Sequence, residues 1–375
     1  MQVNSQNIEN IVSQIQANNL TLKALRQQKT ADSTGNRTDI FLQNPDVGIN
    51  YLFGNPSSIG NRTDFSVIQN FEFPTVYVYR NQISTLKNVQ ADFQYEQELK
   101  NVIYETKLIC NDLIYYNAMI NEYSKRLTAA EKIANSYKLK FEIGEANILE
   151  YNKAELNKLN VNKRLEELKI EKTALTNQLI SLNGNISITF NDTAFSEILL
   201  PTDFEQWYTE AEERNPTLNW LESEIELSEK QQQLYSAMSL PHFSAGYMSE
   251  LTDGQDYQGI TLGFSIPLWE NKNKIKYSKL NTEAAINFQE ASKQQHYNNL
   301  KILYQKAQSL QKNVLLYKQN LQTFNNSELL YKALETGEID LINYITELTF
   351  YYESVTNLLE MERELNKVIC ELFQY

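Results

Sequence analysis

The stretch Tyr257 to Trp269, YQGITLGFSIPLW, sets Ile260, Leu262, Phe264, Ile266 and Leu268 against Gly259, Thr261, Gly263 and Ser265. Alternation with period two describes a β-strand with one apolar face. Just upstream, Pro241 to Glu250 (PHFSAGYMSE) puts Phe243, Ala245 and Tyr247 on one face, and the connection LTDGQD supplies turn residues. The two predict a hairpin. Long helical sequence flanks it on both sides, and a lone hairpin is marginal in water, so further strands are required.

They lie earlier in the chain. Pro45 to Gly54 (PDVGINYLFG) alternates Val47, Ile49, Tyr51 and Phe53 with Asp46, Gly48 and Asn50. Arg62 to Pro74 (RTDFSVIQNFEFP) alternates Phe65, Val67, Phe71 and Phe73 with Asp64, Ser66, Asn70 and Glu72, with Gln69 the one polar residue on the apolar side.

The chain therefore reads as a duplication, and its register can be checked. Pro74 and Pro267, the two strand-to-helix transitions, stand 193 positions apart (267 minus 74), as do Gly144 and Gly337. Those glycines lie within FEIGEANILEY (Phe141 to Tyr151) and LETGEIDLINY (Leu334 to Tyr344). Upstream of the hairpins, Asn19, Thr21, Leu22 and Leu25 match Asn215, Thr217, Leu218 and Leu221 at an offset of 196, as Pro45 and Tyr51 match Pro241 and Tyr247. The change of offset implies a first hairpin loop three residues longer. Repeat one is expected over 1–201, with its hairpin at 32–74, a tip at 144 and an irregular linker at 183–201. Repeat two is expected over 202–375, with its hairpin at 241–269 and a tip at 337.

In chain order, Val3 to about Lys29 reads as a helix, and the first hairpin begins near Asp32. A helix from Val76 to Phe141 follows, with Val102, Ile109, Leu113, Tyr116, Ile120, Tyr123, Leu127, Ala130, Ala134, Tyr137 and Phe141 in alternating steps of three and four and only Thr106 polar. That is a sustained heptad seam on a helix roughly 100 Å long. Gly144 reverses the chain. The return helix runs from about Asn147 to Leu182, and a capping box of Thr202 and Glu205 opens a helix to about Ala237. Placed end to end, these two span what the long helix spans. Repeat two copies the plan: a long helix from about Lys272 to Leu334, carrying Leu300, Leu303, Ala307, Leu310, Val314, Tyr317, Leu321 and Phe324, a turn at Gly337 and a return to Tyr375.

Composition narrows the function. Only 11 Gly and 7 Pro in 375 residues suit long uninterrupted helices, and a net charge of −13 argues against binding nucleic acid, which needs a basic face. No apolar run is long enough for a spanning helix. The two cysteines, Cys110 and Cys370, are too few for a disulfide framework and are expected as buried free thiols. His242 and His296 lie apart with no metal-ligand spacing. No phosphate loop or nucleophile motif is present, and the carboxylates are spread along helical faces, so neither catalysis nor a cofactor is expected. His242 is expected in a lumen or interface.

Strands of this length, apolar on one side and Gly, Ser and Asp on the other, suit a membrane barrel that faces lipid outward and water inward. Four of them cannot close a cylinder, and an open edge in lipid leaves backbone groups unsatisfied. Closure must come from other copies. Two copies would give eight strands around a filled interior; three would give twelve around a passage, which the inward Gly48, Gly246, Gly259 and Gly263 favour. A soluble sandwich leaves the length of the helices unexplained; the rival reading is a soluble coiled-coil scaffold that uses the heptads for partner helices.

These motifs resemble the TolC-type outer-membrane efflux channels over nearly the whole chain. The likeness rests on Asn-Pro-Thr-Leu at Asn215 to Leu218, Leu-Pro at Leu240 and Pro241, Phe-Ser-Ile-Pro-Leu at Phe264 to Leu268, and the paired Gly-Glu turns. It implies a mixed α and β membrane protein: a trimer whose 12-strand β-barrel in the outer membrane continues as a 12-helix α-barrel through the periplasm. Such a duct passively conducts metal ions or small toxic compounds from an inner-membrane RND-type pump and a periplasmic adaptor; a type I secretion duct for polypeptides is an alternative. The segment Asp64 to Tyr77 is similar to the heavy-metal branch of CusC and CzcC. On this reading the chain is exported and Met1 stands at its mature end. The adaptor-contacting tips would fall on Phe141, Gly144, Glu145 and Asn147, and on Leu334, Gly337, Glu338 and Asp340. Glu338 and Asp340 from three copies would form an acidic constriction, or else simply cap a solvated helix start.

Overall fold

The computed structural model describes residues 4–374. Helices α1 (Asn4–Asn18) and α2 (Leu20–Gly35) precede strands β1 (Asp46–Leu52) and β2 (Arg62–Phe71). Then come α3 (Pro74–Glu142), α4 (Ile148–Leu182), α5 (Phe204–Glu213), α6 (Pro216–Ala237), β3 (His242–Thr252) and β4 (Gln255–Ser265). The chain ends with α7 (Lys274–Thr323), α8 (Ser327–Thr336) and α9 (Leu341–Leu372). Helix α3 has 69 residues, roughly 100 Å at 1.5 Å per residue. Val3 and Tyr375, the expected outer limits of the first and last helices, lie outside the described residues.

Several expected boundaries need correction. The first helix is two, because Asn19 interrupts it: its side chain accepts from Leu22 N at 2.9 Å and donates to Leu182 O at 2.9 Å. Helix α2 runs on past Asp32 to Gly35. The helix expected from Thr202 to Ala237 is also two, since Asn215 caps a new start by accepting from Thr217 N at 2.9 Å and Pro216 suits a first turn. At its front end Asp203 does the capping rather than Thr202, accepting from Glu205 N and Gln206 N. The second long helix breaks between Thr323 and Ser327, where Asn325 accepts from Ser327 N at 3.2 Å. Asn325 closes a local turn between the two helices, and Asn326 stands at the start of α8 without a side-chain cap.

The described residues form two compact units. One gathers 4–24, 98–211 and 296–374; the other gathers 25–97 and 212–295. In the first, α3 is buried on two sides. Val102, Ile109, Cys110, Leu113 and Ile114 share a core with Ile11, Ile15, Leu22, Leu179, Ile188 and Phe190, while Tyr115 and Met119 pack with Leu168 and Leu359. A heptad seam describes one contact face; the second face follows from a second neighbouring helix. The segment 183–201 has no regular structure, as expected, yet it contributes Ile188 and Phe190 to this core.

In the second unit helices meet through small polar groups: Ser228 Oγ lies 2.8 Å from Thr282 Oγ1, and Ser278 Oγ donates to Ser228 O at 3.1 Å. This unit also holds one antiparallel sheet, ordered β1-β2-β3-β4. The Asp253-Gly254 turn joins β3 to β4, with Gly254 in the left-handed region at φ 87, which glycine adopts without steric cost. The strands thus extend into the expected LTDGQD connection, whereas β1 stops at Leu52 and a longer link leads to β2. No helix among the described residues is long and apolar enough to cross a membrane.

Candidate functional site

Register decides what each face of the sheet presents, because cross-strand partners share a face. One row runs Val47, Val67, Tyr247, Ile260, and another Phe71, Phe243, Phe264. This face is bare: Ile260 is 83%, Leu262 77% and Phe264 75% exposed. Gln69 lies on it opposite Ala245, as read from the sequence, and its amide donates to Gln43 O at 2.8 Å.

The opposite face carries the rows Asn50, Asp64, Glu250, Tyr257 and Leu52, Arg62, Thr252, Gln255. There Arg62 Nε donates to Asp64 Oδ1 at 2.6 Å and Nη2 to Glu250 Oε1 at 2.7 Å, joining β2 to β3. Below them Arg80 Nη2 donates to Glu72 Oε1 at 2.7 Å. His242 stands on this face opposite Ser265; His296 lies in the helical unit, 6.1 Å from the Tyr208 ring. Of the four glycines expected to face inward, Gly259 has no atom within 4 Å of an added Cβ, whereas Gly246 is closely approached. A Cβ at Gly246 would lie 2.4 Å from Val67 O, so its bare backbone is what lets β2 and β3 approach.

The two turns expected at Gly144 and Gly337 are built alike. Both glycines are left-handed, at φ 80 and 76. Glu145 N and Ala146 N donate to Lys140 O, and Glu338 N and Ile339 N donate to Ala333 O, closing each helix in the same way. Asn147 then opens α4 with a capping box: its Oδ1 accepts from Glu150 N at 3.0 Å while Glu150 Oε2 accepts from Asn147 N at 2.9 Å. Asp340 opens α9, accepting from Asn343 N at 2.7 Å on one oxygen and from Asn343 Nδ2 at 3.2 Å on the other. Glu338 is exposed. Phe141 stacks on Tyr151 with centroids 5.7 Å apart.

The turns share one core, in which Ile133, Ala134, Tyr137 and Ala154 meet Leu334, Leu341, Tyr344 and Leu348. Burial pushes the Tyr137 hydroxyl pKa up, and the fields of Glu150 from one turn and Asp340 from the other add to it. The sequence predicted two turns that repeat one another; it did not show that they pack together.

Above this core lies a feature that no sequence pattern pointed to. Arg126 on α3 is 4% exposed, with its guanidinium carbon 4.5 Å from the Tyr123 centroid and 4.3 Å from that of Tyr352 on α9. It donates to Glu122 Oε1 at 3.0 Å and to Tyr352 O at 2.9 Å. A converse contact stands further along: Arg363 on α9 reaches Asp112 on α3 at 2.6 Å and lies 4.8 Å from the Tyr115 ring. Cys110 and Cys370 are both free, with Asn111 Nδ2 donating to the Cys370 sulfur at 3.1 Å. Burial raises both thiols, Cys110 to about 12.

A sheet with one bare apolar face and a polar reverse face has the patterning of membrane-barrel strands. Comparison with solved structures agrees. The outer-membrane channel OprN matches with a TM-score of 0.82 at 13% identity, covering 98% of this chain and 89% of that one. The Campylobacter jejuni CmeC outer membrane channel matches at 0.78 and 14%, covering 98% and 85%. CusC matches at 0.77 and 14%, covering 97% and 90%. No family model and no curated protein matches the chain. The fold is that of the TolC-type channels. The likeness to CusC is no greater than to CmeC or OprN, so it does not single out the heavy-metal branch.

Proposed function

We propose that the chain is one of three identical subunits of an outer-membrane efflux duct. The exposed apolar face of the sheet carries this reading. Strands β3 and β4, of 11 residues each, span roughly 36 Å, about 25 Å when tilted near 45°, which matches the apolar band of a membrane barrel. Edges β1 and β4 are left unpaired within the sheet, and in lipid each must find a strand from another copy. Three sheets close a 12-strand barrel in the outer membrane, and the helices, as a tandem duplication, continue it as a periplasmic passage. The polar face of the sheet then lines water.

The duct is passive, with driving energy supplied by an inner-membrane pump through a periplasmic adaptor, and its cargo is small toxic compounds. The turns at Phe141 to Asn147 and Leu334 to Asp340 present their exposed residues to the adaptor. Glu338 and Asp340 place acid near the narrow end, with Asp340 also holding the α9 cap. The test is conductance of the purified protein in planar bilayers, together with its mass in detergent. A trimer with steady ion conductance supports the reading, and a monodisperse monomer in detergent-free buffer contradicts it.

A further inference from the structure

The interruption between α7 and α8 opens a cavity of about 400 Å³ against α9. Its wall holds Tyr317 and Leu321 from the end of α7, Phe324 from the break after it, and Glu347, Phe350 and Tyr351 from α9. Glu347 is the one charged side chain in that lining among the described residues; Lys318, next to Tyr317, is drawn to Glu362 at 3.3 Å. Phe324 and Phe350 are 65% and 62% exposed, so two large rings flank an open space rather than fill it. Repetition does not account for the rings. At the 193 offset their counterparts are Ser124, Glu131, Asn157 and Lys158, on helices that are continuous there.

We propose that this groove binds an amphiphilic organic cation, a quaternary ammonium or protonated amine carrying an aromatic or alkyl group. Aromatic faces present the negative lobe of their quadrupole and attract cations, most strongly where water is partly excluded. The Glu347 carboxylate adds a full opposite charge, and the absence of a basic wall disfavours anions. The volume lies within the range of small-molecule sites. Leu321 and the exposed edges of Phe324 and Phe350 take the apolar part, while Tyr317, Tyr351 and Glu347 take the charge. That the bound cation is cargo rests on the duct reading; that it binds does not.

Calorimetric titration of the purified full chain with benzyltrimethylammonium tests the site, since this probe is too hydrophilic to partition into micelles. Saturable binding of one cation per chain is expected, weakened roughly tenfold by Glu347→Gln or Phe350→Ala. Benzyl alcohol is expected to bind at least about tenfold more weakly. Glu347 and Phe350 are exposed, so both variants should keep the wild-type circular dichroism spectrum. Equal binding by both variants, or no saturable binding because a neighbouring copy covers the groove, overturns the proposal. A protein that conducts without binding refutes this site alone; one that binds without conducting refutes the duct alone.

Discussion

Replacing Ile260 by Arg should prevent assembly in lipid, whereas replacing its neighbour Thr261 by Arg should not. Ile260 is the central residue of β4 and stands in the apolar row opposite Tyr247. An Arg at the lipid-facing midplane of a membrane barrel costs about 2–4 kcal/mol. Three copies make that roughly 6–12 kcal/mol per assembly, comparable to the whole stability of an ordinary domain. Thr261 points the other way and faces Gly246, which leaves room for a longer side chain whose charge stays in water. The assay is refolding of each variant into lipid vesicles, read as the fraction that becomes protease-resistant. Ile260→Arg is expected to lose most of it and Thr261→Arg to stay within about twofold of the parent. Equal losses, or an Ile260→Arg protein that inserts normally, would refute the assignment of faces.

Other consequences follow from the helical unit. Arg126→Met strands the Glu122 carboxylate in a largely buried position and removes two ring contacts, so unfolding in guanidinium should show about 2–4 kcal/mol lost, part of it regained by adding Glu122→Gln; no regain would mean that the ion pair is incidental. Gly144→Ala and Gly337→Ala meet no atom within 4 Å, and their cost, about 1–2 kcal/mol each in the same measurement, should be backbone strain alone. The Cys110 thiol and the Tyr115 hydroxyl are both raised to about 12 by burial, from ordinary values of 9.0 and 10.0. The folded state thus holds their protons longer than the unfolded state. Their contribution is complete below pH 9 and is lost as pH climbs toward 12. The melting temperature should fall through that window, less steeply in Tyr115→Phe, and an unchanged slope in that variant would contradict the buried setting.

Sheet and turns were legible because their signals are local. Period-two alternation over Tyr257 to Trp269 fixes which side chains share a face, down to Gln69 as the exception, and Gly-Glu with an Asn or Asp cap after it is a complete turn signal. The breaks were missed for an equally physical reason. Apolar residues keep their three-and-four rhythm through Leu321 and Phe324, so periodicity reports the packing face and does not register that α7 ends at Thr323. Asn19 and Asn215 could have been found, since each is a strong cap inside apparent helix and they recur at the 196 offset. Arg126 could not: it lies beside Leu127 of the seam, and its burial comes from α9, more than two hundred residues away in sequence.

The most direct test of the account is a cross-link between sheet edges. Cysteines placed on β1 and β4 at positions that would pair across neighbouring copies, in a background with Cys110 and Cys370 replaced by Ser, should on mild oxidation yield covalent dimer and trimer and no longer species, because a three-membered ring closes on itself. A product that remains monomer in lipid, or a ladder that continues past three, would contradict a barrel completed by three copies of this chain.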